Sequence, residues 1–254
     1  MRVVFFLTAV LALAAASVGS AWAQPFYARG SFYAGTGAAW NADAGNQLFD
    51  DGLHGDGAAG DGIYGALVVS DQPAGAHDFK ITDADWTPGL DWPHNPAYPT
   101  QNARLFTAGP GDAIQFRFDG NSAQPGWQPD AGAVACDRAM PAGTVLEVCG
   151  SAPELGNWTT GVPAVEVDGI WTAVVRIATP GDHQFKFRSA GNGDWSFGIH
   201  YNMLDGDNFA FTTTHADAAV RFKLNMADGR GYAVEFDDTP VLKQTWGQLK
   251  ALYR

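Results

Sequence analysis

The sequence predicts an all-β protein, with two tandem immunoglobulin-like antiparallel β-sandwiches followed by a short C-terminal helix. The first observation behind this prediction is an internal repeat. Residues 77–81 (HDFKI) match 183–187 (HQFKF), and residues 114–118 (IQFRF) match 220–224 (VRFKL), both at an offset of 106 positions (77 to 183 and 114 to 220). A repeat of about one hundred residues has the size of a small sandwich domain and exceeds the period of a solenoid.

Strand periodicity is the second observation. Apolar and polar residues alternate in 184–188 and 220–224, and β-branched and aromatic residues fill 170–177. Each run is short and is bounded by Gly, Pro, Asp or Asn, a pattern typical of strands joined by turns. The predicted modules are residues 25–128 and 133–237, and a linker rich in Pro and Gly covers 124–132.

The first residues, 1–23, predict a signal peptide. Arg2 supplies the positive charge, residues 3–16 are apolar, and Ala21-Trp22-Ala23 forms a small-x-small cleavage site. The apolar run is short for a membrane span and no second one follows, so we expect no transmembrane span after cleavage. The expected location is secreted, either extracellular or periplasmic. An uncleaved anchor is the alternative.

The negative net charge of the chain limits the kinds of molecule that it can bind. The formal net charge is −12, and the sequence pI is near 4.6. Nucleic acid and an anionic membrane surface would both repel such a chain. A neutral ligand, a cation or another protein remains, and the nine tryptophans become the residues of interest.

The two cysteines, Cys136 and Cys149, are both placed at the start of the second module. In an exported protein a pair at this spacing predicts a disulfide that closes a short loop, worth about 3 kcal/mol on the chain-entropy model. Two buried free thiols are the alternative.

One stretch carries a resemblance to a known family. Residues 148–158 (VCGSAPELGNW) resemble the start of starch-binding β-sandwich modules, in which a strand ends in Gly-Ser and a Leu-Gly-Asn/Asp-Trp turn follows. The match continues through 169–175 (GIWTAVV), the turn at 180–181 and the Phe-Lys-Phe of 185–187. The stretch 195–222 is similar to modules that precede pullulanases and to outer-membrane starch-binding proteins. The resemblance covers the second module and, more loosely, the first.

The resemblance implies a set of sugar-binding residues. An indole covers the apolar face of a sugar ring, while amide and ammonium groups bind its hydroxyls. In the second module the implied platforms are Trp158 and Trp195, and the hydrogen-bonding partners are Lys186 and Asn202. A looser site in the first module uses Trp40, Lys80, and Trp86 or Trp92. In the alternative, the loop tryptophans fold back as plugs and Lys186 only faces solvent, while Tyr64 and Trp171 are expected in the core.

An Asp- and Gly-rich insertion in the first module, residues 50–62, has its own chemistry. It contains Asp50, Asp51, Asp56 and Asp61, and glycines let a backbone wrap tightly enough to supply oxygens to calcium. Because the spacing does not fit an EF-hand loop, the default expectation is that these side chains cap turns. No cofactor is required, and calcium is the alternative.

The sequence favours binding over catalysis. It contains no Gly-x-Ser-x-Gly elbow, no His-Glu-x-x-His and no phosphate-binding loop. Acid pairs for glycoside hydrolysis are recognised by distance in space, so the sequence leaves them open. We therefore expect a non-catalytic protein that binds an α-glucan-like polysaccharide. The alternatives are a structural or adhesive surface protein with the sandwiches as spacers, and an accessory subunit of a glucan-degrading complex.

The C-terminal tail, residues 238–254, predicts an amphipathic helix. Leu242, Trp246, Leu249 and Tyr253 recur at i, i+4, i+7 and i+11, and Thr239-Pro240 has the character of a helix start. The tail is expected either to pack on the second sandwich or to serve as a docking or sorting element for a partner.

Overall fold

A computed structural model describes residues 25–94, 100–122, 133–204 and 207–236. Within these ranges the chain forms seventeen strands in four antiparallel sheets and one 3-10 turn, so the all-β prediction is confirmed. No helix in the described ranges is long and apolar enough to cross a membrane. The predicted signal peptide, most of the linker and the tail lie outside these ranges.

Sheet A belongs to the first half of the chain. Its strands are β1 (Phe26–Gly30), β2 (Gln47–Leu48), β4 (Gly75–Asp83), β5 (Asp91–Trp92) and β6 (Ala103–Thr107). They run in the order β2-β1-β4-β5, and β6 also pairs with β4. The long strand β4 therefore lies at the centre of the sheet, with Ile81 opposite Ala28 of β1.

Sheet B completes the first half. Its strands, in spatial order, are β3 (Ile63–Val69), β7 (Ala113–Asp119) and β8 (Val134–Cys136). Strand β8 follows the predicted linker and lies within the residues that the sequence assigns to the second module. It nevertheless pairs with β7, with Cys136 opposite Phe116. The first half thus continues to residue 136.

The second half has sheets C and D; sheet C repeats the strand order of sheet A, and sheet D has one strand more than sheet B. Sheet C contains β9 (Leu146–Gly150), β10 (Val162–Pro163), β13 (Gly181–Ser189), β14 (Ser196–Phe197) and β15 (Phe209–Thr213). Sheet D contains β11 (Val165–Val167), β12 (Ile170–Ile177), β16 (Ala218–Asn225) and β17 (Arg230–Phe236). Sheet C runs β10-β9-β13-β14 with β15 also on β13, and sheet D runs β11-β12-β16-β17. Strand β17 pairs with β16 in sheet D, as β8 pairs with β7 in sheet B.

Alternating apolar residues build the core. In β7 the buried residues are Ile114, Phe116 and Phe118, and at the offset of 106 β16 buries Val220, Phe222 and Leu224. Tyr64 and Trp171 are buried as expected. One hydrophobic cluster runs through both halves and includes Val134, Ala139, Trp195, Phe197 and Tyr201 where they meet.

Hydrogen bonds reinforce this junction. The hydroxyl of Tyr201 donates to the carbonyl oxygen of Cys136 at 3.2 Å. The backbone N–H of Phe106 in β6 donates to the carbonyl of Arg138 at 2.6 Å. The first bond joins the second half to the end of β8, and the second joins Arg138, two residues further on, to β6.

The predicted disulfide is wrong. Cys136 and Cys149 are both unbonded and buried. The physical reason is the pairing of β8: Cys136 lies in sheet B and Cys149 in sheet C, although the residues are close in sequence. Burial raises the pKa of the Cys136 thiol to about 12, so this group stays protonated.

Candidate functional site

The four residues predicted for one sugar site in the second module do not all come together. Trp195 is only 7% exposed, and its backbone N–H donates to Ser189 Oγ at 3.1 Å. Trp195 is also one of the residues around a cavity of about 670 Å³ between the halves, together with Phe106 and Pro141. At 7% exposure Trp195 is a core residue of the junction, and little of its indole is accessible to a sugar.

Asn202 is equally unavailable. It is 1% exposed and adopts a left-handed backbone conformation with φ of 46°. Its Nδ2 donates to the carbonyl of Ala139 at 3.2 Å and to the carbonyl of Arg104, while its Oδ1 accepts from the N–H of Ser196 at 3.4 Å. Asn202, which was predicted to bind a sugar, instead links the two halves, because its side-chain amide is hydrogen-bonded to the protein through both Nδ2 and Oδ1.

Trp158 and Lys186 do lie together. Trp158 ends the 3-10 turn Pro153–Trp158 and is half-buried. The Nζ of Lys186 lies 6.0 Å from the centroid of the Trp158 ring and donates to the carbonyl of Leu204 at 3.3 Å. Of the four residues implied for this module, these two keep the predicted proximity and some access to solvent.

Two of the residues implied for the first module are internal. Lys80 is 3% exposed, and its Nζ donates to Asp91 Oδ2 at 2.6 Å and to the carbonyl of Pro93 at 3.0 Å. Trp92 is fully buried, with its ring 4.8 Å from that of Phe118 between centroids. Lys80 is a buried ion-pair partner and Trp92 a core residue, so neither reaches a ligand.

Trp40 and Trp86 form the exposed aromatic pair of the first half. Their ring centroids are 6.1 Å apart and their planes are inclined by 41°. Trp86 is 42% exposed, whereas Trp40 is half-buried. Both have positive φ, 72° for Trp40 and 55° for Trp86, so both indoles project from turns in strained left-handed conformations.

The fold explains how residues so distant in sequence meet. Trp40 follows β1, and its backbone N–H donates to the carbonyl of Gly30 at 3.3 Å. Trp86 follows β4, in a turn where the N–H of Thr87 donates to Asp83 Oδ1 at 2.9 Å. β1 and β4 are antiparallel, so the two turns leave opposite ends of the strand pair. The segment between Gly30 and Trp40 returns along β1, where the carbonyls of Trp40 and Ala84 both accept hydrogen bonds from Arg29.

Arg29 holds this pair in place. Its guanidinium carbon lies 4.8 Å from the centroid of the Trp86 ring and 5.8 Å from that of Tyr27. Its Nη1 donates to the carbonyl of Trp40 at 3.4 Å, and its Nη2 donates to the carbonyl of Ala84. Burial lowers the pKa of Arg29, and the carboxylates of Asp83 and Asp85 partly offset this shift. We call Tyr27, Arg29, Trp40 and Trp86 the tryptophan surface.

The sequence prediction missed Arg29 and Tyr27. Both occupy alternate positions of β1, next to the core residues Phe26 and Ala28, so they face the opposite side of the sheet. That alternation was the available signal. The sequence alone does not associate a single arginine in a short strand with a binding site. Its role becomes visible only when the turns that contain Trp40 and Ala84 are located beside it.

The second half uses a related arrangement. Arg188 Nη1 donates to the carbonyl of Trp158 at 2.8 Å, as Arg29 Nη1 does to Trp40, and Trp158 also has a positive φ of 66°. The arginine comes from β13 in the second half and from β1 in the first. In both halves a buried or half-buried guanidinium therefore anchors the backbone of a tryptophan turn.

The Asp- and Gly-rich insertion has the geometry of capped turns. Asp50 accepts the N–H groups of Gly60 at 2.7 Å and Gly62 at 3.0 Å, and Asp56 accepts that of Gly52 at 2.7 Å. Asp51 pairs with His54 Nδ1 at 2.9 Å, and Asp61 accepts the N–H of Ile63. In the part of the chain that the structure describes, no three His, Cys, Asp or Glu side chains are grouped to hold a metal ion.

Chemically, the tryptophan surface offers two inclined apolar faces with polar neighbours. Asn41 and Asp85, both exposed, directly adjoin the two tryptophans in sequence. Such a surface suits a ligand with an apolar face and a hydroxyl rim. Comparison with known proteins adds no relative from which a ligand can be transferred: no family model matches this chain, and no curated protein matches it.

Proposed function

We propose that this chain is an exported, non-catalytic protein that binds an α-glucan-like polysaccharide through the tryptophan surface, on a scaffold of two tandem immunoglobulin-like sandwiches. The single observation that carries the proposal is the Trp40–Trp86 pair, with a centroid distance of 6.1 Å and one indole 42% exposed. A large aromatic side chain exposed on a strained turn points to a ligand, because burial would otherwise be favoured.

The inclination of the two rings supports a curved ligand. Two sugar rings stacked on planes 41° apart belong to a chain that bends between them. An α-linked glucan bends in this way, whereas a flat β-linked chain such as cellulose suits coplanar aromatic rings. The net charge of −12 and the neighbouring Asp85 favour a neutral polysaccharide over an anionic one.

Trp158 and Lys186 form the proposed second contact. The indole is half-buried, and the ammonium group 6.0 Å from its ring centroid can donate to a hydroxyl. This contact offers a single ring, so we expect it to add less affinity than the tryptophan surface.

Affinity electrophoresis of the mature protein tests the proposal. Gels contain amylopectin, glycogen, cellulose or no polysaccharide, and the expected result is retardation by the two α-glucans only. Trp40→Ala and Trp86→Ala should each abolish most of the retardation, and Trp158→Ala should reduce it less. Leu53→Ala is the matched control, since Leu53 is an exposed apolar residue outside the surface. Unchanged mobility of the wild type in every gel would overturn the proposal.

The rival function, a structural or adhesive surface protein, is favoured by one observation. The hydrophobic cluster is continuous through the two halves, which suits a stiff spacer. The same gels separate the two functions, because a spacer is not retarded by any polysaccharide.

A further inference from the structure

The outward side of sheet D carries a contiguous group of exposed apolar residues among its polar ones. We call it the sheet D face; its exposed apolar residues, between 37% and 67% accessible, are Val165, Val167, Ile170, Val174, Tyr232 and Val234. The opposite side of the same strands carries Trp171, Phe222 and Leu224, which belong to the core. An antiparallel sheet with one solvated side normally alternates apolar with polar residues, so an apolar outer side calls for a cover.

Strand register makes these residues contiguous. Val165, Thr172, Lys223 and Tyr232 lie side by side in one row, and Val174, Arg221 and Val234 in the next. Neighbouring strands are about 4.8 Å apart, so the rows form one patch across all four strands.

Four cationic residues, Arg176, Arg221, Lys223 and Arg230, lie on the same side of the sheet, and two of them contact aromatic rings of the patch. The guanidinium carbon of Arg221 is 4.6 Å from the centroid of the Phe236 ring, and Lys223 Nζ is 6.0 Å from that of Tyr232. The methylene groups of Arg221 and Lys223 therefore add to the apolar surface, and their charged groups lie beside the aromatic rings.

We propose that the chain's own C-terminal segment, residues 237–254, covers the sheet D face. The segment lies outside the described residues and continues directly from Phe236, the end of edge strand β17. Its apolar residues Leu242, Trp246, Leu249 and Tyr253 have the spacing of one helical stripe.

Length and charge support this occupant. A helix over residues 239–254 is about 24 Å long, and the eight-residue strand β12 spans about 26 Å, so one pass covers the face. The segment begins with Asp237 and Asp238, next to the residue whose ring contacts Arg221. The segment is covalently joined to the edge strand of this face, so its docking needs no second molecule, whereas a second copy has to associate at the protein's own concentration.

Hydrogen exchange of the full mature protein, followed by mass spectrometry of its peptides, tests the proposal. Amides of residues 241–253 should exchange at least about tenfold more slowly than in the same segment as a free peptide. The double substitution Val174→Glu and Val234→Glu should return them to the free-peptide rate. Leu67→Glu, at an exposed apolar position in β3 of the first half, should leave the protection unchanged.

Three outcomes would overturn the proposal. Free-peptide exchange in the wild type means that the segment does not dock. Protection that survives the double substitution means that it docks elsewhere. Protection that appears only at concentrations where size-exclusion chromatography shows a dimer assigns the face to a second copy. Both substituted positions are solvent-exposed, and the exchange of core strand β13 in the same data reports whether the variant is folded. The result is independent of sugar binding, which should be unaffected.

Discussion

Asn202 donates a side-chain hydrogen bond to the backbone carbonyl of Arg104, and the backbone N–H of Arg104 donates to the carbonyl of Asn202 at 3.3 Å. The two residues belong to different halves of the chain. This reciprocal pair makes Asn202 part of the junction, and its left-handed φ is one that asparagine tolerates better than most residues. The residue implied as a sugar ligand is thus a structural one.

The first prediction concerns this junction. Asn202→Ala should lower the free energy of unfolding by about 1–3 kcal/mol, because buried carbonyls of Arg104 and Ala139 lose their donor. Urea denaturation measures the change, and retention by amylopectin should persist. Asn208→Ala, which removes only an exposed hydrogen bond to Gln184, is the control. If the Asn202 and Asn208 variants were equally stable, the structural role of Asn202 at the junction would be contradicted.

Arg29 provides the second prediction, as a positioning residue. Arg29→Lys keeps the charge but cannot donate to two carbonyls in the planar geometry of a guanidinium, so it should weaken binding of maltooligosaccharide by about tenfold. Titration calorimetry measures the affinity, and circular dichroism of the indole bands should show reduced coupling between Trp40 and Trp86. The control is Arg176→Lys, at an exposed arginine in sheet D. Unchanged affinity together with an unchanged spectrum would rule out the positioning role.

The third prediction is a dependence of stability on acid pH through Asp56. Burial raises the pKa of this carboxyl, but the N–H donors of Gly52 and His54 lower it by more, so it lies below its ordinary value of 3.8. A folded pKa below the unfolded one gives stability that is fully present above the unfolded pKa and is lost as the pH falls through the folded pKa.

Asp56→Asn should therefore destabilise the protein by about 1 kcal/mol near neutral pH, and the difference from wild type should shrink toward pH 2.5. Urea unfolding across this pH range measures it, with the exposed Asp85→Asn as the control. A difference that does not change with pH would show that the carboxylate charge is irrelevant.

Metal removal gives the fourth prediction. Because the carboxylates of Asp50, Asp51, Asp56 and Asp61 accept donors of their own loop, a chelator should leave the melting temperature unchanged, and so should added calcium. Thermal unfolding in EDTA and in millimolar calcium tests this. A rise of several degrees with calcium would instead support the calcium alternative.

The fifth prediction concerns the thiols. The intact mass of the mature protein should correspond to two free cysteines, and a reductant should not shift the melting temperature. Native protein should react slowly with a disulfide reagent near pH 8, because burial keeps the Cys136 thiol, with its pKa of about 12, protonated. Denatured protein should react at both cysteines. A melting temperature that falls on reduction would indicate a bond.

The sequence by itself determined the all-β class and the buried positions within strands. Alternation of apolar and polar residues is a local property, and a strand places successive side chains on opposite sides of its sheet wherever it lies. Tyr64 and Trp171 could be assigned to the core for that reason. Trp40 and Trp86 became candidates through the looser resemblance of the first module to starch-binding modules.

Tertiary structure alone decided which candidates meet. Strand β8 crosses the expected boundary to join β7, which separates Cys136 from Cys149, and the junction then encloses Trp195 and Asn202. Lys80 and Trp92 are buried because β5 pairs with β4. Which strands pair, and which residues meet between the two halves, depends on residues far apart in the chain. A local sequence pattern therefore does not predict these contacts. Arg29 in β1 donates hydrogen bonds to the carbonyls of Trp40 and Ala84, and these contacts between residues far apart in the chain bring the two tryptophan turns together.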